Sequence, residues 1–70
     1  MYHVDINKLN GKIVENKTTK ENIAKQLGID RTTFLRRLNR GKLLIGDAHK
    51  ICEVLNLSTS EAVEIFLAKQ

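Results

Sequence analysis

Residues 18 to 41 read Thr18-Thr19-Lys20-Glu21-Asn22-Ile23-Ala24-Lys25-Gln26-Leu27-Gly28-Ile29-Asp30-Arg31-Thr32-Thr33-Phe34-Leu35-Arg36-Arg37-Leu38-Asn39-Arg40-Gly41. This stretch spells two short helices joined by a tight turn. Thr18 and Glu21 have the spacing of a capping box, and Thr19 is an equally good cap for the same helix. Ile23, Ala24 and Leu27 form its apolar stripe, and Gly28 supplies the left-handed residue that ends it. Asp30 opens the next helix, with Ile29 and Phe34 spaced as a hydrophobic staple. Phe34, Leu35 and Leu38 face inward. At about 100° per residue, Thr32, Thr33, Arg36 and Arg40 fall on the opposite side, with Asn39 and Arg37 at its edges. Arg31 stands in the first turn, where a long side chain can project past the helix end.

The rest of the chain reads as helices around this pair. The first begins after the cap Asp5, with Val4 and Leu9 at staple spacing. Ile6, Leu9, Ile13 and Val14 recur on one face, and the helix should end near Asn16 despite Gly11. A fourth helix spans roughly residues 45 to 55, with Ala48, Ile51, Cys52 and Leu55 inward. A fifth starts from the capping box Ser58 to Glu61 and runs to the C-terminus. Seventy residues, 41% hydrophobic and 29% charged, with no proline and four glycines, suit one all-α domain over residues 1–70. The expected architecture is a compact five-helix domain.

The net charge of +4 is unevenly placed. From Asp30 to Lys42 there are five basic residues (Arg31, Arg36, Arg37, Arg40, Lys42) and one acid. Five basic residues and three acids precede this window, and two basic residues and four acids follow it. The excess sits on one element. A basic helix held across another by a glycine turn is how proteins reach the major groove, so double-stranded DNA is the expected partner.

Other classes fit poorly. No apolar run approaches the ~20 residues that cross a bilayer, and the start Met1-Tyr2-His3-Val4-Asp5 has no signal-peptide character. The single Cys52 agrees with a reducing cytoplasm, the expected location, and at core spacing it reads as a buried apolar residue. His3 and His49 lack partners at metal-ligand spacing and read as surface residues, so no metal is expected. There is no nucleophile motif, no glycine-rich phosphate loop and no paired-acid constellation. So small a chain also leaves little room for a pocket of several hundred Å³. The expectation is a protein that is not an enzyme and has no cofactor or small-molecule ligand.

The ordered set Thr19, Ile23-Ala24, Leu27-Gly28-Ile29 and Phe34 resembles the λ-repressor-like (XRE-type, Cro-like) helix-turn-helix family. In that family a threonine caps helix two, a Leu-Ala-like pair packs on the recognition helix, and an apolar residue midway along that helix seals the core. Asn39-Arg40-Gly41-Lys42 is similar to the family's Asn-Gly-Lys segment, with Arg40 as an extra residue. The ending from Cys52 to Ser58, followed by Glu64-Ile65-Phe66, looks like that of small phage and mobile-element regulators. The resemblance covers about residues 5 to 67. It implies a sequence-specific transcriptional regulator, a Cro-like repressor that inserts residues 30–39 into the major groove.

The resemblance also implies roles. Arg31, Thr32 and Arg36 match the places that reach base edges, where arginine suits the paired acceptors of guanine and a threonine methyl packs on thymine. Thr19, Lys20, Thr33, Asn39, Arg40 and Lys42 match phosphate-contacting places, Thr19 by turning helix N-terminal amides toward a phosphate. Arg37 stands between phosphate and solvent. Two departures matter. Lys20 occupies the place of a glutamine that both contacts phosphate and braces the recognition helix; a lysine donates but cannot accept. Leu43-Leu44-Ile45-Gly46-Asp47 lacks the expected Ser or Thr cap before helix four, and hints at an apolar loop packed on a partner.

From Ala62 to Ala68 the last helix is apolar almost all round. Ala62 and Phe66 are expected to close the core, leaving Val63, Ile65 and Leu67 as the interface of a homodimer that reads a palindromic site. The runner-up reading is a protein-interaction module, an antirepressor or small complex subunit, with the helical pair as scaffold only. Peripheral membrane binding is disfavoured, because helix three needs its apolar face for the core.

Overall fold

Side chains that bond amides three residues away mark where most helices of this chain begin. The computed structural model describes residues 2–69, in which α1 spans Ile6–Glu15, α2 Lys20–Leu27, α3 Arg31–Asn39, α4 Ile45–Leu55 and α5 Thr59–Phe66. The carboxylate of Asp5 accepts the Lys8 N–H at 3.1 Å, and Thr19 Oγ1 accepts the Asn22 N–H at 3.1 Å. Thr19, not Thr18, is therefore the cap of α2. Ser58 and Glu61 cap α5 reciprocally, at 3.2 and 2.9 Å. With neither Ser nor Thr ahead of α4, Asp47 reaches back to the Leu44 N–H at 3.3 Å and the helix begins at Ile45.

Four of the helices end the same way. A residue in the left-handed region lets two successive amides fold back onto carbonyls of the last turn. These residues are Lys17 (φ 55°), Gly28 (φ 76°), Gly41 (φ 65°) and Asn56 (φ 52°). After α2, for instance, Gly28 donates to Lys25 and Ile29 to Ala24, both at 3.1 Å. Gly28 and Gly41 adopt this backbone without a Cβ to oppose it. Ile29 and Leu57, one residue beyond two of these ends, pack on the core.

The fold is helical apart from one short ladder. Tyr2–His3 (β1) and Ala68–Lys69 (β2) pair antiparallel, Tyr2 opposite Lys69 and His3 opposite Ala68. The expectation that helix five runs to the C-terminus is corrected: α5 stops at Phe66 and the chain extends to meet its own beginning. Gln70 lies outside the described residues. Asp5 fastens the same corner, its N–H donating to the Ile65 carbonyl at 2.7 Å.

One core joins all five helices: Leu9, Ile13, Ile23, Ala24, Phe34, Leu38, Ile51, Leu55 and Ile65. α2 packs on both α3 and α4, while α1 packs on α5. Val14, expected inward, is 74% exposed, because the buried stripe of α1 narrows to Leu9 and Ile13. Ala48 and Cys52 are likewise only half-buried, at the margin of the Ile51–Leu55 stripe. Among the described residues no helix is long and apolar enough to cross a membrane.

Ion pairs reinforce the α1–α5 contact. Lys12 pairs with Glu61 and, at 3.5 Å, with Glu15; Lys8 pairs with Glu64 at 3.8 Å. The Lys12 ammonium, helped by the Ser58 amide, holds the Glu61 carboxyl down to about 2. A carboxyl depressed in the folded state stabilises fully above its unfolded value and loses that contribution as pH falls through the folded one. The thermal midpoint is thus expected to fall between about pH 5 and pH 2. Glu61→Gln should flatten that fall, as melting curves across the range will show.

Candidate nucleic-acid interface

α3 divides cleanly into two faces. Phe34 (0% exposed) and Leu38 (2%) enter the core, fixing the rotation of the helix. Arg31, Thr32, Arg36 and Asn39 are exposed, as are Arg40 and Lys42 just beyond the helix. The turn at Gly41 closes through Gly41 N–H to Leu38 (3.3 Å) and Lys42 N–H to Arg37 (2.8 Å), which keeps Arg40 and Lys42 beside the exposed face. Thr19, exposed, and Lys20, half-buried, begin α2. The first amides of that helix come ahead of its internal hydrogen bonds, where they can meet an anion.

The concentration of unpaired cations sets this face apart. Lys8, Lys12, Arg37 and His49 each have an acidic neighbour within 4 Å. Among the described residues, Lys20, Arg31, Arg36, Arg40 and Lys42 have none, and neither do Lys17, Lys25 and Lys50 elsewhere. Within the window from Asp30 to Lys42 the one acid is Asp30 against five basic residues, so the exposed side of α3 keeps a net positive charge. Such a face suits a polyanion.

Hydrogen bonds engage Thr33, an expected phosphate contact, and Arg37, expected between phosphate and solvent. The Thr33 hydroxyl donates to the Asp30 carboxylate, which that bond holds below its usual range. A hydroxyl has one proton to give, so Thr33 cannot donate to a phosphate while this bond stands. Asp30 accordingly occupies the cap position of α3 without capping an amide through its side chain. Arg37, half-buried, turns to Asp47 at 3.3 Å, away from Arg36 and its neighbours. Neither the Thr33–Asp30 bond nor the Arg37–Asp47 pair follows from helical periodicity, although Asp30 and Thr33 do have capping spacing.

The expected dimer face is also corrected in part. Ile65 is 2% exposed and belongs to its own core, on the α5 that packs against α1. Val63 (47%) and Leu67 (52%) do stay exposed, and they are joined by Leu44 (60%) and Ile45 (92%). Ile45, Ala48, Cys52, Ala62, Val63, Phe66 and Leu67 line a shallow apolar groove between α4 and α5, of about 270 Å³. Next to it Leu43, Leu44, Phe66 and Leu67, with Asn39, Arg40 and Gly41, border an open hollow of about 600 Å³. The hollow is an open surface depression formed where α3, α4 and α5 approach one another. Leu44 and Ile45 are the residues that helix periodicity misses; the uncapped apolar run Leu43-Leu44-Ile45 was their signal.

Cys52 borders the groove rather than lying in the core, and burial still raises its thiol above the usual range. His3 and His49 are exposed, with His49 Nδ1 3.0 Å from Glu53 Oε1. Among the described residues no group of His, Cys, Asp and Glu is placed to hold a metal ion. No protein-family model, curated protein or solved structure matches the chain. What it does has to be read from its own side chains.

Proposed function

We propose that this chain is a sequence-specific double-stranded DNA-binding transcriptional regulator of the λ-repressor-like class, a Cro-like repressor acting in the cytoplasm without a cofactor. α2 and α3 serve as its helix-turn-helix, and α3 enters the major groove. The observation that carries this reading is the unpaired cationic face of α3, set against the Phe34–Leu38 face that anchors it. Arg31, Thr32 and Arg36 read base edges. Thr19, Lys20, Asn39, Arg40 and Lys42 hold the backbone. Selection of bound fragments from a random duplex pool tests the proposal: a recovered consensus supports it. Absence of duplex binding at low salt favours a protein-interaction module instead, with Leu44, Ile45, Val63 and Leu67 as its contact surface.

Base readout and backbone positioning separate by mutation. Arg36→Ala is expected to cost about 1–3 kcal/mol on the preferred duplex and to relax preference at one base position. Lys42→Ala should weaken all duplexes alike. Equal losses for Arg36→Ala on preferred and scrambled duplexes, measured by competition, would remove Arg36 from the base-reading set.

The regulator is further proposed to act as a homodimer on a palindromic operator, its two α3 helices meeting successive major grooves about 34 Å apart. Leu44, Ile45, Val63 and Leu67 supply the exposed apolar surface that a second copy would cover. Ile45→Glu is a clean probe, since an acid in the first turn suits the helix dipole and should spare α4. Sedimentation at micromolar concentration is expected to give a dimer for the parent and a monomer for Ile45→Glu. A parent monomer that binds a half-site as tightly as the palindrome would refute the dimer.

A further inference from the structure

Arg37 is held apart from the cationic face by a specific set of bonds. Its Nη1 lies 3.3 Å from Asp47 Oδ2, and the same oxygen accepts the Leu44 N–H at 3.3 Å. The Arg37 carbonyl accepts the Lys42 N–H at 2.8 Å. One residue thus fixes the α3–α4 connection twice, at Lys42 through its main chain and at Leu44 through Asp47. The side chains of Arg37 and Asp47 are 33% and 13% exposed, so the pair is partly shielded from solvent and salt. The segment it fixes carries Arg40 and Lys42 as well as the exposed Leu44 and Ile45.

We propose that Arg37 and Asp47 form a clamp that positions residues 40–45 for DNA, so that Arg37 is a positioning residue and the acid Asp47 is needed for tight binding. The inference rests on the DNA-binding reading above. It reverses the sign that simple electrostatics gives: removing an anion from a protein that binds a polyanion should tighten the complex. If the clamp sets where Arg40 and Lys42 point, removing Asp47 weakens it. Arg37, whose charge is committed to Asp47, neutralises no phosphate.

Duplex affinity should be measured over a salt series for the parent, Arg37→Met, Arg37→Lys, Asp47→Asn and the Arg37→Met/Asp47→Asn double variant. The temperature is chosen so that circular dichroism shows each one folded. Asn at position 47 keeps an oxygen for the Leu44 N–H and removes only the charge, which separates the ion pair from the cap. Arg37→Met and Asp47→Asn are each expected to weaken binding about fivefold, and the double variant no further, as coupled residues do. Preferred and scrambled duplexes should lose alike, and Arg37→Lys should recover part of the loss. The slope of log affinity against log salt should not change in Arg37→Met, whereas loss of a phosphate contact would reduce it by about 0.9. Tighter binding by Asp47→Asn, or a reduced slope in Arg37→Met, overturns the clamp.

Amide exchange in the DNA-free protein keeps the two levels distinct. Both single variants should exchange faster at Lys42 with the core unchanged, and unaltered exchange there also overturns the clamp. A parent chain that binds no duplex overturns the DNA-binding reading and, with it, the clamp's role in DNA binding.

Discussion

Raising salt from about 50 to about 200 mM is expected to weaken duplex binding by about 10³- to 10⁵-fold. The magnitude follows from the number of phosphates neutralised. Each protomer offers Lys20, Arg31, Arg36, Arg40 and Lys42 without acidic neighbours among the described residues, so a dimer can neutralise about six to ten phosphates. Each neutralised phosphate steepens the dependence of log affinity on log salt by about 0.9. Lys8, Lys12 and Arg37 add little, because Glu64, Glu61 and Asp47 already balance them. A titration by fluorescence anisotropy checks the slope. Affinity that stays flat over this range would rule out the phosphate contacts and leave the cationic face of α3 as a solvated surface.

The second large effect lies on the other side of the same helix. Phe34→Ala is expected to cost about 3–5 kcal/mol, since Phe34 is fully buried where α3 meets the other helices. A domain of this size has a total stability near the lower end of the usual range, about 5 kcal/mol, so the variant should keep no more than about 2 kcal/mol and melt far below the parent. Val14→Ala serves as the control. Val14 is 74% exposed, and its truncation should change stability by no more than about 0.5 kcal/mol. Thermal melts monitored by circular dichroism decide both. They also separate two ways of losing DNA binding: Phe34→Ala loses most of its stability, whereas Arg36→Ala should melt like the parent. A Phe34→Ala variant as stable as Val14→Ala would mean that α3 is not anchored by its inner face.

Much of the α2–α3 unit was legible because its determinants are local. Thr19 bonds an amide three residues on, Gly28 adopts a positive φ that favours glycine, and Ile23, Ala24, Phe34 and Leu38 recur at helical spacing. The same periodicity placed Thr32 and Arg36 opposite Phe34, and both are exposed. Thr33 was harder to read. Its side of the helix follows from spacing, but the bond of its hydroxyl to Asp30 depends on which of several allowed rotamers the side chains adopt.

What the sequence determined by itself, then, is the set of helices, the turn at Gly28 and the concentration of charge from Asp30 to Lys42. Interactions within one helical turn write these directly into residue spacing. Tertiary structure decided which residues of α5 are covered, because a helix that is apolar almost all round has no single preferred inner face. Packing of the helices on one another puts Ile65 in the core, and Val63 and Leu67 stay out. It also decided that the chain's two ends pair and stop α5 at Phe66, and that Arg37 serves Asp47, ten residues away. Such partners leave no periodic trace in a sequence. They meet only when packing of the core brings separate helices within reach of one another.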